Sequence, residues 1–444
     1  MNTPVPAAPL RILETLRQDG HEALLVGGCV RDLLLGREPK DWDIATDALP
    51  DRIEALFPKT LAIGKAFGII AVVPEEGAPV EVATYRADSP YVDGRHPGAI
   101  AFTDAREDAL RRDFTINALF LDPSTGEIRD FVGGQADLQA RVIRAIGEPA
   151  VRFGEDHLRM LRAIRFASAL GFAIDPATFT AIQKLAPHIR RISAERIRDE
   201  LFRLLTESPR AGEALQLLRD SGLLKEILPG IDAMAGVEQP PEFHPEGDVF
   251  THTKLMLDAM PPNPSLRLAL SVLLHDVGKP PTAQFATLPD GTQRWRFECH
   301  AAVGADMARG ILERLRAPNA LVDEVCAIIA GHMRMADAPR MRKSKLRRLL
   351  GAPTFDDELE LHRLDCVSSH AILDVYDFLK VEKARFAAEP VLPPPLVTGR
   401  DLIALGHVPG PSFAKILQDL YDRQLEGVFD KTALLAAIPP PPAR

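Results

Sequence analysis

The chain has few cysteines, no long apolar run and no surplus of positive charge, and each lack removes a class of protein. Its four cysteines, Cys29, Cys299, Cys326 and Cys366, show no C-x-x-C spacing, which argues against a zinc ribbon or a disulfide framework and for a reducing cytoplasm. Each reads as a small core residue. The first ten residues are rich in proline and alanine without a basic start, and no later segment is long and uncharged enough to span a bilayer. The expectation is a cytoplasmic protein with no membrane partner. A formal net charge of −9 does not suit general attraction to a phosphate backbone, which comes from clustered Lys and Arg. No internal repeat is visible, and nothing speaks to oligomeric state.

What is present is 444 residues with 46% hydrophobic content, enough for roughly two to four domains. The most informative stretch is Val26-Gly27-Gly28-Cys29-Val30-Arg31-Asp32, followed by Asp41-Trp42-Asp43-Ile44-Ala45-Thr46. The apolar run Ala23 to Val26 reads as a buried strand entering a Gly-Gly turn, where backbone amides approach an anion without Cβ interference. Val30 to Leu35 then reads as a short helix closed by Gly36, its N-terminal amides facing the turn. On an extended strand Asp41 and Asp43 share one face, and paired carboxylates bind hard cations such as Mg²⁺. An Asp-x-Asp or a Gly-Gly alone is ordinary. Their ordered combination suits nucleotidyl transfer from a metal-bound triphosphate.

Apolar and polar periodicity places strands near 23–26, 42–45, 68–73, 80–85 and 117–121, with helices near 29–35, 50–57 and 106–112. After Pro149 nearly every segment has helical period, with Asp175 and Ser193 as N-cap candidates. Pro-rich breaks stand at Gln239 to Pro245 and Pro393 to Pro395, and the closing Pro439 to Pro442 run reads as a disordered tail. Basic residues gather locally: Arg159, Arg162 and Arg165 on one helical face, five arginines from Arg190 to Arg203, and six basic residues from Arg340 to Arg348. Any one reads as a solvated face. As a set flanking a triphosphate site, they suit an RNA backbone.

Further residues add to the first constellation. Glu81 alternates with Val82 on a strand and is a candidate third carboxylate, supporting metals or activating a hydroxyl; an edge-strand charge is the competing reading. Arg111, Arg112 and Asp113, in the run to Asn117 and Ala118, offer guanidinium groups and a carboxylate for phosphate and ribose. Glu155 to Arg159 reads as the start of an amphipathic helix, so that Asp156 and Arg159 are neighbours, as an intrahelical ion pair or a paired set of donors and acceptors.

Gly27 to Thr46, Ile63-Gly64-Lys65-Ala66-Phe67-Gly68, Glu81 to Arg86, Arg111 to Ala118, Glu155 to Arg159 and Arg162 to Phe166 together resemble the class II tRNA nucleotidyltransferase and poly(A) polymerase family. The resemblance implies that Asp41 and Asp43 bind catalytic Mg²⁺, that Gly27, Gly28 and Arg31 hold the triphosphate, and that Arg112 and Asp113 contact the sugar. Asn117, Arg162 and Arg165 fall within the matching nucleotide-binding segments. Asp156 and Arg159 match the family's protein template, in which side chains read the Watson-Crick edge of CTP or ATP. Ala87 to Asp108, containing Tyr91 to Pro97, corresponds to a loop associated with terminal adenosine addition. Gly64 to Ala71 departs from the Gly-Arg-Arg-Phe-x-Leu-x-His of bacterial poly(A) polymerases and favours tRNA as the recipient.

A second set is independent of the first. His252, His275-Asp276 with Gly278-Lys279, His300, His332 and Asp365 lie at the ends of successive helical segments, as in helical-bundle metal sites. In this order they resemble the HD phosphohydrolase superfamily. That implies one divalent transition metal on His252, His275, Asp276 and Asp365, with His300 and His332 completing a second site. The activity implied is cleavage of phosphomonoesters or cyclic phosphodiesters; a domain retained for structure or tRNA docking is the alternative. The expected architecture is α+β: a polymerase-β-like nucleotidyltransferase head with a mixed sheet (1–148), an all-α neck (149–238), an all-α HD domain (246–390) and a helical C-terminal segment with its tail (391–444). The expected function is addition of CCA, or its terminal A, to tRNA from CTP and ATP. A poly(A) polymerase, or an HD hydrolase with an RNA-binding head, are the alternatives.

Overall fold

The structure is a computed structural model that describes residues 4–88, 100–287, 289, 291–386 and 390–440. The Tyr91 to Pro97 stretch of the adenosine-associated loop lies outside the described residues. The chain forms two compact units, Met1–Asp232 and Ala233–Arg444.

In the first unit the strands are β1 (Ala23–Val26), β2 (Asp43–Thr46), β3 (Thr60–Gly64), β4 (Ile69–Val72), β5 (Val80–Thr84), β6 (Arg86–Asp88), β7 (Ile100–Phe102), β8 (Leu119–Leu121) and β9 (Ile128–Asp130). Seven of them make one sheet in the order β3-β4-β5-β2-β1-β8-β9. It is mixed: β2 and β5 run parallel, while β1 pairs antiparallel with β2 and β8. All four residues of β1 are buried, as a continuous apolar run in a central strand requires. Leu24, Val26, Ala45, Tyr85, Ala118 and Phe120 form the core on one side of it.

Two details correct the sequence reading. Asp41 precedes β2, because strand pairing begins at Asp43, opposite Glu81, and no neighbouring strand continues the ladder back to Asp41. Residues Thr115–Asn117 form a single 3₁₀ turn before β8. The sequence reading missed β3, whose middle residues are exposed, and the three-residue β9.

Beyond the sheet, the helices Pro149–Glu155 and Leu158–Leu170 are separate, and Asp156 between them is extended (φ −147°, ψ 105°). The single helix expected from Glu155 onward is therefore broken at Asp156. Asp175 caps Pro176–Leu185 by accepting from the Thr178 backbone N–H, a bond worth about 1 kcal/mol. Ser193 occupies the N-cap position of Ala194–Glu207 without a side-chain cap bond. That helix buries Ile197, Leu201, Leu204 and Leu205 as one stripe. A short parallel pair, β10 (Val142–Ile143) with β11 (Ala173–Ile174), adds strand pairing to an otherwise helical region.

Among the described residues the second unit's regular structure is helical except for one hairpin, β12 (Ala283–Thr287) with β13 (Gln293–Phe297), which the sequence reading did not contain. Helix Leu266–Leu274 is buried from Leu268 through Leu274 and forms the centre of this unit. Helices Val249–Asp258, His300–Arg314, Asn319–Gly331 and Phe355–Val367 carry the remaining histidine and aspartate candidates at or near their ends. Gly399–Ala404, Pro411–Glu426 and Lys431–Ala436 follow, around Val397, Leu402, Leu420 and Leu434. Among the described residues no helix is long and apolar enough to cross a membrane.

Candidate functional site

In the first unit a cleft of about 630 Å³ is lined by Gly27, Gly28, Arg31, Asp41, Asp43, Arg112, Asp113, Asn117, Asp156, Arg159, Arg162 and Arg165. Every nucleotide-site residue named from the sequence is there, and of the three catalytic candidates only Glu81 is not in its lining. Gly27 adopts φ +79°, and a Cβ there would lie 3.3 Å from Arg112 Nη1 and 3.8 Å from Asp43 Oδ2. Glycine therefore lets the turn approach a guanidinium and a carboxylate together. Helix Gly28–Leu34 starts at this turn.

The guanidinium groups are fixed by carboxylates beneath them. Asp108, 1% exposed, receives Arg111 on one oxygen and Arg112 on the other, the latter at 3.1 and 2.9 Å. Arg31 Nη1 donates to Asn117 Oδ1 at 2.7 Å. Asp113 accepts from Asn117 Nδ2 and its own neighbour's N–H on one oxygen, and from Arg162 at 2.8 and 2.9 Å on the other. Burial alone would raise the Asp113 carboxyl, but the Arg162 charge and hydrogen bonds hold it down at about 2. Arg165 pairs with Glu200 at 2.6 Å and lies over the Phe166 ring at 4.1 Å. Ten basic and seven acidic side chains line the cleft, so the −9 of the whole chain misdescribes this surface.

Asp43 and Glu81 are direct partners across β2 and β5. Burial, then the Glu81 charge, push the Asp43 carboxyl up to about 6, partly offset by Arg112, and Asp41 adds to the rise. A carboxylate held against its neighbours in this way favours a bound cation, so the donor set fits hard divalent ions. Nevertheless Asp41, Asp43 and Glu81 do not close into as tight a group as the histidine cluster of the second unit.

Asp156 and Arg159 both reach the cleft but are held by different partners. Asp156 pairs with Arg196 at 2.6 Å and accepts from the Leu158 N–H. Arg159 pairs with Glu155 and donates to the Arg152 and Arg111 carbonyls. The expected neighbour pair is corrected because the chain leaves helical geometry at Asp156, which breaks the i, i+3 relation. Arg196 and Glu200, which the sequence reading did not single out, sit on Ala194–Glu207 and anchor this wall. Of the Arg190 to Arg203 stretch, Arg190, Arg196, Arg198 and Arg203 are in ion pairs.

In the second unit the metal candidates converge. Ligating atoms of His252, His275 and Asp365 lie within 4.8 Å of one another, as do those of Asp276, His300 and His332. His275, His300 and His332 each place Nδ1 at 2.7 to 2.9 Å from the carbonyl of the residue three before: Val272, Phe297 and Ile329. A carbonyl only accepts, so Nδ1 carries the proton and each Nε2 lone pair is turned inward. His252 donates through Nδ1 to Glu246 at 2.6 Å, and its Nε2, facing the Asp365 carboxylate at 3.1 Å, would give up its proton to a bound cation. His275 Nε2 is buried without a hydrogen-bond partner, while the equally buried His252 Nε2 and Asp276 Oδ2 face Asp365 at 3.1 Å and the Lys279 ammonium at 2.7 Å; an unpartnered ring nitrogen among such groups is what a metal site leaves when its donors are counted alone.

Against the burial that would lower it, Asp365 and Glu246 push the His252 imidazolium up to about 9; burial instead takes His332 down to about 4. Glu246, which also receives His244 Nδ1 at 2.9 Å, was missed because it directly follows the Pro-rich stretch, six residues ahead of His252, where no periodicity marks it. Cys299, expected in a core, is exposed at φ +61° beside His300, whereas Cys29, Cys326 and Cys366 are buried.

These two sites agree with three family descriptions that match the chain: Poly A polymerase head domain over residues 23–144, Probable RNA and SrmB-binding site of polymerase A over 171–234, and HD domain over 248–368. A CCA-adding enzyme of Geobacillus stearothermophilus is 40% identical over 332 residues, 74% of this chain and 70% of the relative. One from Geobacillus thermodenitrificans is 39% identical, over 72% and 69%. The crystal structure of the Bacillus stearothermophilus CCA-adding enzyme in complex with CTP superposes with a TM-score of 0.72 at 31% identity, covering 96% of this chain and 95% of that one. On its sequence and fold together, this chain belongs to the CCA-adding enzyme family.

Proposed function

We propose that this chain extends tRNA 3′ ends with CCA, or with the terminal A, from CTP and ATP. The observation that carries the reading is the single cleft in which the glycine turn, Asp41, Asp43 and the arginine wall meet. The tRNA 3′ oxygen bonds to the α-phosphorus as the bond to the β-phosphate oxygen breaks and pyrophosphate leaves. Asp41 and Asp43 are the residues that would hold divalent ions, and Glu81 would receive the hydroxyl proton. Mg²⁺ bound there would supply Lewis-acid activation of the attacking hydroxyl and the leaving pyrophosphate. Gly27, Gly28 and Arg31 cradle the triphosphate, and Arg112, Asp113 and Asn117 orient the sugar. Asp156 and Arg159 read the base edge, each held by its own ion pair. Gly64 to Ala71 supports a tRNA recipient over poly(A) tailing. The test is a tRNA ending before CCA and a second ending in CC, each offered labelled CTP and ATP separately and together. Ordered C, C and A incorporation is expected, or A alone onto tRNA ending in CC; repeated A tails, or none, refute it.

The histidine cluster supports a second activity, metal-dependent phosphoester hydrolysis. His252, His275, Asp276 and Asp365 would hold one divalent ion and His300 and His332 a second, which when bound activate water. Water oxygen bonds to phosphorus, the ester P–O bond breaks, and the alcohol leaves with a proton. Glu246 fixes the His252 tautomer. His275→Ala with Asp276→Ala should abolish Co²⁺ binding followed by visible absorption, and Glu246→Ala should weaken it about 10- to 100-fold. Unchanged Co²⁺ affinity in both would remove this reading.

A further inference from the structure

Between Lys279 and His300 the second unit carries the β12–β13 hairpin in place of helix. Its register sets Phe285 opposite Trp295 and Ala283 opposite Phe297. Opposed residues, and residues two apart, share a face, so Phe297, Trp295 and Phe285 form a row of rings on one side of the ribbon. Phe285 and Trp295 meet edge to face at 5.3 Å, Phe285 is 58% exposed, and Trp295 is steadied by its Nε1–H donating to Glu238. The inner end of the row is built into the histidine cluster. The Phe297 carbonyl accepts from His300 Nδ1 at 2.8 Å, and the Lys279 ammonium lies 5.5 Å from the Phe297 ring centre and 2.7 Å from Asp276 Oδ2.

Single exposed rings need no explanation. A row of three that ends on a lysine and a cluster of metal-type ligands has the form of a surface for a flat aromatic group tethered to an anion. A nucleobase joined through ribose to a phosphate has that chemistry, and bases stack on such rings with little regard for sequence. Arg294 and Arg296 lie on the other face of the ribbon, paired with Glu242 and Glu298, so the cation at the end of the row is Lys279.

We propose that the hairpin is the base-stacking arm of the histidine–aspartate site, and that this site takes a nucleotide phosphoester such as the terminal nucleotide of an RNA. The base lies against Phe285 and Trp295 with its phosphate toward His275 and Asp276. The assignment of the phosphate rests on the hydrolase reading above; the base-binding surface does not.

Trp42 and Trp295 are the only tryptophans, so in full-length Trp42→Phe protein the emission reports Trp295. Titration with 3′-AMP should quench it, while ribose 5-phosphate at the same concentration should not. Phe285→Ala should weaken 3′-AMP binding about tenfold and raise KM for 3′-AMP hydrolysis equally, leaving kcat and hydrolysis of base-free p-nitrophenyl phosphate unchanged. Phe285→Tyr should restore both. Equal quenching by the two probes, or wild-type affinity in Phe285→Ala, overturns the stacking arm. Base-dependent quenching in a protein that hydrolyses neither ester overturns the hydrolase reading and leaves the arm standing.

Discussion

Replacing Asp41 and Asp43 together by alanine should lower nucleotidyl transfer to tRNA by about 10³-fold or more, the scale of losing several kcal/mol of charge stabilisation. The fold should survive. Burial and Glu81 already work against an ionised Asp43, so in metal-free protein the double variant is expected to melt no lower than wild type. Asp43→Asn, which keeps the shape and removes the charge, separates the two effects: transfer falls while Tm holds or rises. Co²⁺ binding by the second unit should be unaffected in both variants. Transfer that persists near the wild-type rate would move the chemistry away from these carboxylates, and a matching loss of Co²⁺ binding in folded protein would contradict two separate sites.

Arg162→Ala should have the largest effect on stability among the cleft arginines. Asp113 is 9% exposed and depends on Arg162 for two hydrogen bonds, so the substitution strands a buried carboxylate at a cost of about 3 kcal/mol. The pH dependence has a definite sign. In wild type the folded Asp113 sits near 2, below its unfolded value of about 3.9. The pair therefore stabilises above the unfolded value, and that contribution is lost as pH falls toward 2. In Arg162→Ala burial acts with its largest counterweight gone, Arg159 and Asn117 remaining, and raises the carboxyl, so the deficit in Tm should be greatest at neutral pH and shrink on acidification. A deficit independent of pH would assign the loss to packing against Phe166, over whose ring Arg162 also lies.

The sheet and the cleft were largely readable because their signals are local. Apolar runs such as Ala23 to Val26 mark buried strands, and the glycine turn must be glycine because Gly27 has positive φ beside Arg112 and Asp43. Partner choice was not readable. Asp156 and Arg159 have the spacing of a helical pair, yet one extended residue sends them to Arg196 and Glu155, a tertiary outcome that no periodicity encodes. Asp108 was within reach, since it stands four residues before Arg112 on a helix, but its grip on Arg111 as well needs the folded geometry. Glu246 was hidden by its proline-rich surroundings. The hairpin was missed because its strands mix exposed and half-buried side chains without strict alternation and without a buried position to sharpen the pattern.

The bonds from ring Nδ1 to carbonyl at His275 and His332 have a consequence for how the second unit opens. Each histidine closes a helix, Leu266–Leu274 or Asn319–Gly331, by donating to a carbonyl of its last turn. The same proton that terminates the helix decides which nitrogen faces the cluster. Fraying of either end would free the ring to turn, so cation affinity and the order of these helix ends belong to one equilibrium, and whatever loads the cluster also tightens the bundle around it.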